Sequence, residues 1–293
     1  MNRRYFLEVG GMMWASSLFL NSIKMVDLIK KSKKGIGLQL YTVRNEMDKD
    51  VKGTLRKIAD IGYTFVENAG YSNGKFYGMT KEDFKSILED LNLKMISGHI
   101  GLGQESGEKG LINQFEEVCK DARYVGQKYL GTGGLAADKR KTIDDYKKFA
   151  HLLNKGGEMA KQHGLKIFHH NHDFEFVKIN GIVPYEILLN ETDKNLVTFE
   201  LDHYWTKKAG IDSIKLMKDH PGRFSLWHIK DMDNTERQSF TEVGTGIIDY
   251  SKIFQEKSIS KMEYFFVEQD SCVNYPPLKS IGISFNNLKK LQL

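Results

Sequence analysis

Cysteine is nearly missing from this chain. Its 293 residues hold two, Cys119 and Cys272, in no CxxC or finger-like spacing. That excludes a disulfide framework and a structural zinc module, and leaves buried free thiols as the expectation over a single pairing. Proline is scarce as well, with four residues and no Pro/Ser-rich stretch dividing the body, so no interdomain linker is legible. No uninterrupted apolar run approaches the ~18 residues of a confident membrane span. An excess of one charge is also missing from most of the chain. The first 34 residues carry Arg3, Arg4, Lys24, Lys30, Lys31, Lys33 and Lys34 against Glu8 and Asp27, while the rest holds 36 basic and 36 acidic residues. The formal +5 therefore sits in the leader. A neutral body argues against nucleic acid as the partner, because binding phosphates needs a basic face.

What is present begins with that leader, residues 1–34. Arg3-Arg4-Tyr5-Phe6-Leu7 precedes a mildly apolar run from Val9 to Ile23, broken by Gly10, Gly11, Ser16 and Ser17. A basic start and a short apolar core are the parts of an export signal, and the paired arginines resemble a twin-arginine signal. The expectation is a periplasmic or exported protein, cytoplasmic if the leader is no signal, with no stable membrane insertion beyond an uncleaved leader.

Residues 35–293 alternate strand and helix patterns throughout. Strands are expected at 36–43, 64–69, 94–100, 128–131, 166–170, 197–202, 224–229 and 264–268. Helices are expected near 51–61, 81–91, 111–125, 143–163, 184–191, 211–218, 250–257 and from about 277 onward. Runs such as Tyr264-Phe265-Phe266-Val267 are apolar on both faces, as parallel strands covered by helices require. No glycine-rich loop follows the first strand. Eight alternating units therefore predict an α/β fold, a single (β/α)8 TIM barrel, rather than a doubly wound sheet.

Chemistry gathers at the predicted strand ends. The segment 168–175 (FHHNHDFE) holds three histidines and two acids, and later strands end in Glu200/Asp202, His228/Lys230 and Glu268/Asp270. Alternation along a strand puts His170 with His172 on one face and His169 with Asn171 on the other. Strand 2 ends in Glu67 and strand 3 in His99. So many ionisable groups at one buried mouth need partners or a cation. Imidazole and carboxylate donors without thiolates suit Mn²⁺, Zn²⁺, Co²⁺ or Fe²⁺. Mutual pairing of these groups is the alternative. Lys230 is expected either to neutralise an oxyanion or to pair with Asp231 or another acid. Trp205 is expected as an apolar wall, and Trp227 as packing.

Six segments, 36–44 (IGLQLYTVR), 62–67 (GYTFVE), 169–176, 199–210 (FELDHYWTKKAG), 221–232 (PGRFSLWHIKDM) and 243–250 (VGTGIIDY), together resemble the sugar phosphate isomerase/epimerase family of xylose-isomerase-like barrels. The resemblance implies a divalent metal, most often Mn²⁺, held by Glu, Asp, His and Glu from strands 5 to 8. The last three fall on Asp202, His228 and Glu268, and His170 stands where the strand-5 glutamate belongs. It further implies proton abstraction beside a carbonyl and a metal-stabilised enediolate. Glu268 is then the first candidate base, His172 or Glu67 handles a second proton, and Lys230 neutralises charge. His99, Glu200 and Trp205 are placed against the substrate, a carbohydrate. Because a histidine replaces one of two bases, a one-base isomerisation or a lyase reaction on a 3-keto sugar is weighed beside epimerisation. An inactive sugar-binding protein and a DNA-repair enzyme are the other classes, the latter disfavoured by the neutral body. A homodimer is left open.

Overall fold

The structure, a computed structural model, describes residues 35–100 and 107–291. The leader and its export reading lie outside these residues. Eight parallel strands form one sheet: β1 (Gly37–Gln39), β2 (Phe65–Asn68), β3 (Lys94–Gly98), β4 (Tyr129–Thr132), β5 (Lys166–His170), β6 (Val197–Asp202), β7 (Leu226–Ile229) and β8 (Tyr264–Val267). Their order, β3-β2-β1-β8-β7-β6-β5-β4, needs only a β3–β4 contact to close. A parallel bridge between His99 and Gly131 supplies it, with Ile100 N–H donating to the Gly131 carbonyl at 2.6 Å. The expected barrel is therefore the fold.

Helices follow the strands as α1 (Val51–Ile61), α2 (Lys81–Asp90), α3 (Gly107–Tyr124), α4 (Ile143–Gln162), α5 (Pro184–Glu191), α6 (Ser213–Asp219), α7 (Tyr250–Gln255) and α8 (Pro277–Lys290). Local chemistry starts them where they start. Thr142 and Asp145 form a reciprocal capping box on α4, Asp212 accepts from the N–H groups of Ile214 and Lys215 on α6, and proline opens α5 and α8.

Inside the barrel the same inward face changes character along each strand. Phe168, Leu226 and Phe266 are fully buried and, with Ile96, Tyr129 and Tyr264, fill the base of the barrel. Two residues further along come His170, His228 and Glu268. Each buried Phe or Leu contributes about 1.5–3 kcal/mol, so this apolar plug offsets part of the cost of burying the charged mouth above it.

Two expected boundaries move. Strand 36–43 stops after Gln39, because the Gln39 side chain accepts the Tyr41 N–H at 3.1 Å and turns Leu40–Val43 into a 3-10 helix. The stretch after β6 makes a short helix, His203–Lys208, before α6, because the Asp202 carboxylate accepts the Trp205 N–H at 2.9 Å and caps it. Cys119 and Cys272 are both free, Cys119 buried and Cys272 half-buried. None of the helices among the described residues is long and apolar enough to cross a membrane.

Candidate active site

Strands β5 to β8 deliver His170, Asp202, His228 and Glu268 to one point, each offering a donor atom, all within 4.8 Å of one another. Register explains the meeting: Asp202 lies opposite His228 on the neighbouring strand, and Phe266, two residues before Glu268, lies opposite His228 on the other side. Each imidazole of the set has two distinct sides. His228 Nδ1 faces Glu268 Oε2 at 2.8 Å, while its Nε2 meets Glu67 Oε2 at 2.6 Å and Glu200 Oε2 at 3.1 Å. His170 Nε2 faces Asp202 at 3.7 Å and its Nδ1 faces Glu200 at 3.4 Å.

Glu67 and Glu200 are thus placed on the far side of the histidines from Asp202 and Glu268. Both are fully buried. Glu67 also accepts from Gln39 Nε2 at 2.7 Å and from the Ser97 hydroxyl. Glu200 meets His99 Nε2 at 2.7 Å. Gln39 and Ser97 are residues the sequence reading missed. The available signal was their polar chemistry inside short apolar strands, with Gln39 level with Glu67 on the neighbouring strand.

Lys230, two residues past His228, is 1% exposed. Its Nζ lies 3.0 Å from Asp202, 2.7 Å from Glu268 and 2.6 Å from Asp270. The expected pairing with an acid is found, with these three carboxylates and not with Asp231. Asp231 takes the opposite face and accepts backbone N–H bonds from Met232, Gly244, Gly246 and Ile248 at 2.8–3.1 Å. This carboxylate knits the loop leading to α7, and a side chain at Gly246 would collide with it.

The more open part of the mouth is aromatic. The His172 ring stacks on Phe174 at 5.2 Å and leans on Trp205 at 5.3 Å, and the Arg140 guanidinium lies 3.2 Å above Phe174. Phe174 and Arg140 had no sequence signal, since their contact needs the loops after β4 and β5 to meet. Gly133 passes so close to His99 that a Cβ there would stand 2.6 Å from the ring. Trp227 is buried against Phe254, as packing.

Electrostatics sort these groups. Burial pushes Glu200 up to about 7 and Asp202 up to about 6. It raises Glu67 too, with the Glu200 charge adding to the effect. Burial lowers His99 and His170, and takes His172 down to about 3. Burial also opposes charge on His228 and Lys230, but their carboxylate neighbours outweigh it and raise both. For Glu268 burial is overcome by Lys230 and His228, which hold it well below the carboxylate range. Glu67, Glu200, Asp202, Glu268 and Asp270 thus share one lysine and whatever proton His228 retains. Two donor atoms facing the centre of the quartet, His228 Nδ1 and Asp202 Oδ2, are buried without an aligned hydrogen bond. A concentration of carboxylates, with buried imidazole and carboxylate donor atoms left without an aligned partner, fits a divalent cation that displaces the His228 proton.

Comparison with known proteins decides the family. The sequence pattern of xylose isomerase-like TIM barrels matches residues 55–269. The chain belongs to the xylose isomerase-like TIM barrel family. A sugar phosphate isomerase/epimerase from Parabacteroides distasonis ATCC 8503 superposes with a TM-score of 0.77 at 28% identity, over 87% of this chain and 97% of that one. An inosose dehydratase from Clostridium perfringens strain 13 is 26% identical over 82% of this chain and 81% of its own length. The fold is shared with an IolI protein that carries a zinc atom, at a TM-score of 0.69 and 18% identity, over 88% of this chain and 98% of that one. A divalent metal site in this xylose isomerase-like barrel is consistent with the quartet's geometry.

Proposed function

We propose that this chain is a metal-dependent isomerase or epimerase acting on a keto sugar by removing a proton beside the carbonyl. One observation carries the proposal: His170, Asp202, His228 and Glu268 converge within 4.8 Å, with Lys230 Nζ 2.7 Å from Glu268. A divalent ion on these four residues, Mn²⁺ in our reading, supplies Lewis-acid polarisation of a carbonyl and its neighbouring hydroxyl. The chain's own residues do the rest. Glu268 takes the proton from carbon. Lys230 holds Glu268 ionised, and as its ammonium turns toward the developing oxyanion, Glu268 becomes the stronger base. Neutral His172 at the mouth passes the second proton. His99, whose Nε2 is engaged by Glu200, offers its other ring nitrogen to a substrate hydroxyl, and Trp205 walls the sugar ring beside Phe174. Glu67 and Glu200 orient the two imidazoles from behind and do not touch the substrate.

Elimination of water from a keto sugar through the same enediolate is the second reading. It is favoured by the inosose dehydratase relatives and by His170 standing where a second base belongs. The basic, apolar leader supports export by a twin-arginine-type route, and an exported enzyme suits an unphosphorylated substrate.

The test is metal analysis of the purified chain, followed by incubation with keto sugars in D₂O. About one divalent ion per chain, deuterium beside the carbonyl, and loss of exchange in Glu268→Gln support the proposal. A conjugated enone would select elimination. No metal uptake together with no exchange from any keto sugar overturns both readings.

A further inference from the structure

A cavity of about 400 Å³ lies between the short helix His203–Lys208, the start of α6 and the start of α7. It is lined by His203, Lys207, Ser213, Lys252 and isoleucines including Ile214 and Ile253. Its size is that of a small-molecule pocket. Three of its features are unspent. His203 is 1% exposed, its ring wedged edge-on to Trp227 at 4.8 Å and Tyr250 at 6.0 Å. Both of its ring nitrogens lack any hydrogen-bond partner among the described residues. An imidazole carries a donor and an acceptor, and leaving either unmet in the interior costs about 1–3 kcal/mol. Lys207 forms no ion pair among the described residues, whereas the cavity's acids are engaged. Asp212 accepts from the N–H groups of Ile214 and Lys215, and Asp249 bonds Ser251 and the Lys252 N–H, with Lys252 Nζ at 3.4 Å. Between the two polar ends the wall is isoleucine.

From this arrangement we infer a ligand site, separate from the barrel mouth, for a small aliphatic monocarboxylic acid that carries a hydroxyl group. The carboxylate pairs with Lys207, the chain lies on the isoleucines, and the hydroxyl meets His203. Each part of the ligand answers a feature the protein leaves unmet, and a neutral hydrocarbon or a bare inorganic anion answers only one of them. The site does not depend on the metal chemistry proposed above, because none of its lining residues belongs to the quartet.

The experiment is saturation-transfer NMR of the full chain, treated with chelator so that carboxylates are not drawn to a metal at the mouth. The three probes are 3-hydroxybutyrate, butyrate and 1-butanol. The expected order of affinity is as written, with roughly tenfold between the hydroxy acid and the alcohol. Ile214→Trp, which fills the cavity, abolishes binding of all three. Lys207→Met, a surface change that leaves the fold alone, weakens both acids about tenfold and spares 1-butanol. His203→Leu removes the advantage of the hydroxyl. Equal binding of the three probes, acid binding unchanged in Lys207→Met, or binding that survives Ile214→Trp overturns the inference. An ordered water on His203 with no probe bound does the same.

Discussion

The two halves of the barrel mouth are built from different chemistry. Strands β5 to β8 end in His170, Asp202, His228 and Glu268, which point their donor atoms at one another. On the opposite side, β1 to β3 contribute Gln39, Glu67 and Ser97, joined by Glu200 of β6; Gln39 and Ser97 bond Glu67, while Glu67 and Glu200 meet the back of His228. The ligating half keeps buried atoms without an aligned partner, whereas Gln39, Glu67 and Ser97 have spent their hydrogen bonds on one another and on His228. Glu67 of the supporting half engages Nε2 of His228 and so leaves Nδ1 of that ring for the centre.

Breaking the ligating half gives the largest effect. His228→Ala removes a donor and, among the described residues, the only imidazole that touches Glu67, Glu200 and Glu268 together. Metal content measured by elemental analysis should fall to background, and activity by on the order of 10³-fold or more. The supporting half should matter less. Glu67→Gln or Glu200→Gln keeps the shape but weakens the grip on His228 or His170. Metal affinity from chelator competition should drop about 10–100-fold with the fold intact. An effect as large as that of His228→Ala would erase the distinction between the halves.

Acid sharpens the comparison further. Carboxylate neighbours raise His228 above its ordinary 6.5, so the metal-free chain holds a proton that a cation must displace. Metal affinity should therefore rise with pH, by about tenfold per unit while one proton is released, and level off once pH passes the raised value. Calorimetry in two buffers of different ionisation enthalpy reads the proton directly, and a pH-independent affinity between 6 and 8 would show that His228 is neutral beforehand. The smallest effect belongs to Ser97→Ala. It deletes one hydrogen bond to buried Glu67 and should cost about 1–3 kcal/mol in denaturant unfolding, with metal affinity changed less than in Glu67→Gln.

The order of elements and the ligating half were legible because both follow local rules. Parallel strands covered by helices read as apolar runs, and inward residues recur every second position, so Glu200/Asp202 and His228/Lys230 declared themselves. The supporting half was less legible. Glu67 and Glu200 were visible as acids, but nothing local says which side of a histidine they occupy. Gln39 and Ser97 look like stray polar residues until β1, β2 and β3 are laid side by side. Lys230 shows the same limit. Its nearest acid in sequence, Asp231, turns to the opposite face and binds four backbone amides, while Asp202, Glu268 and Asp270 reach it from other strands.

By itself, then, the sequence determined a barrel of eight units and the residue types at its mouth, because periodicity and side-chain chemistry act over a few neighbours. Only the tertiary structure decided which lone pairs stay free. That depends on barrel closure through the His99–Gly131 bridge and on the register between strands, which bring residues as far apart as Glu67 and His228 within 2.6 Å.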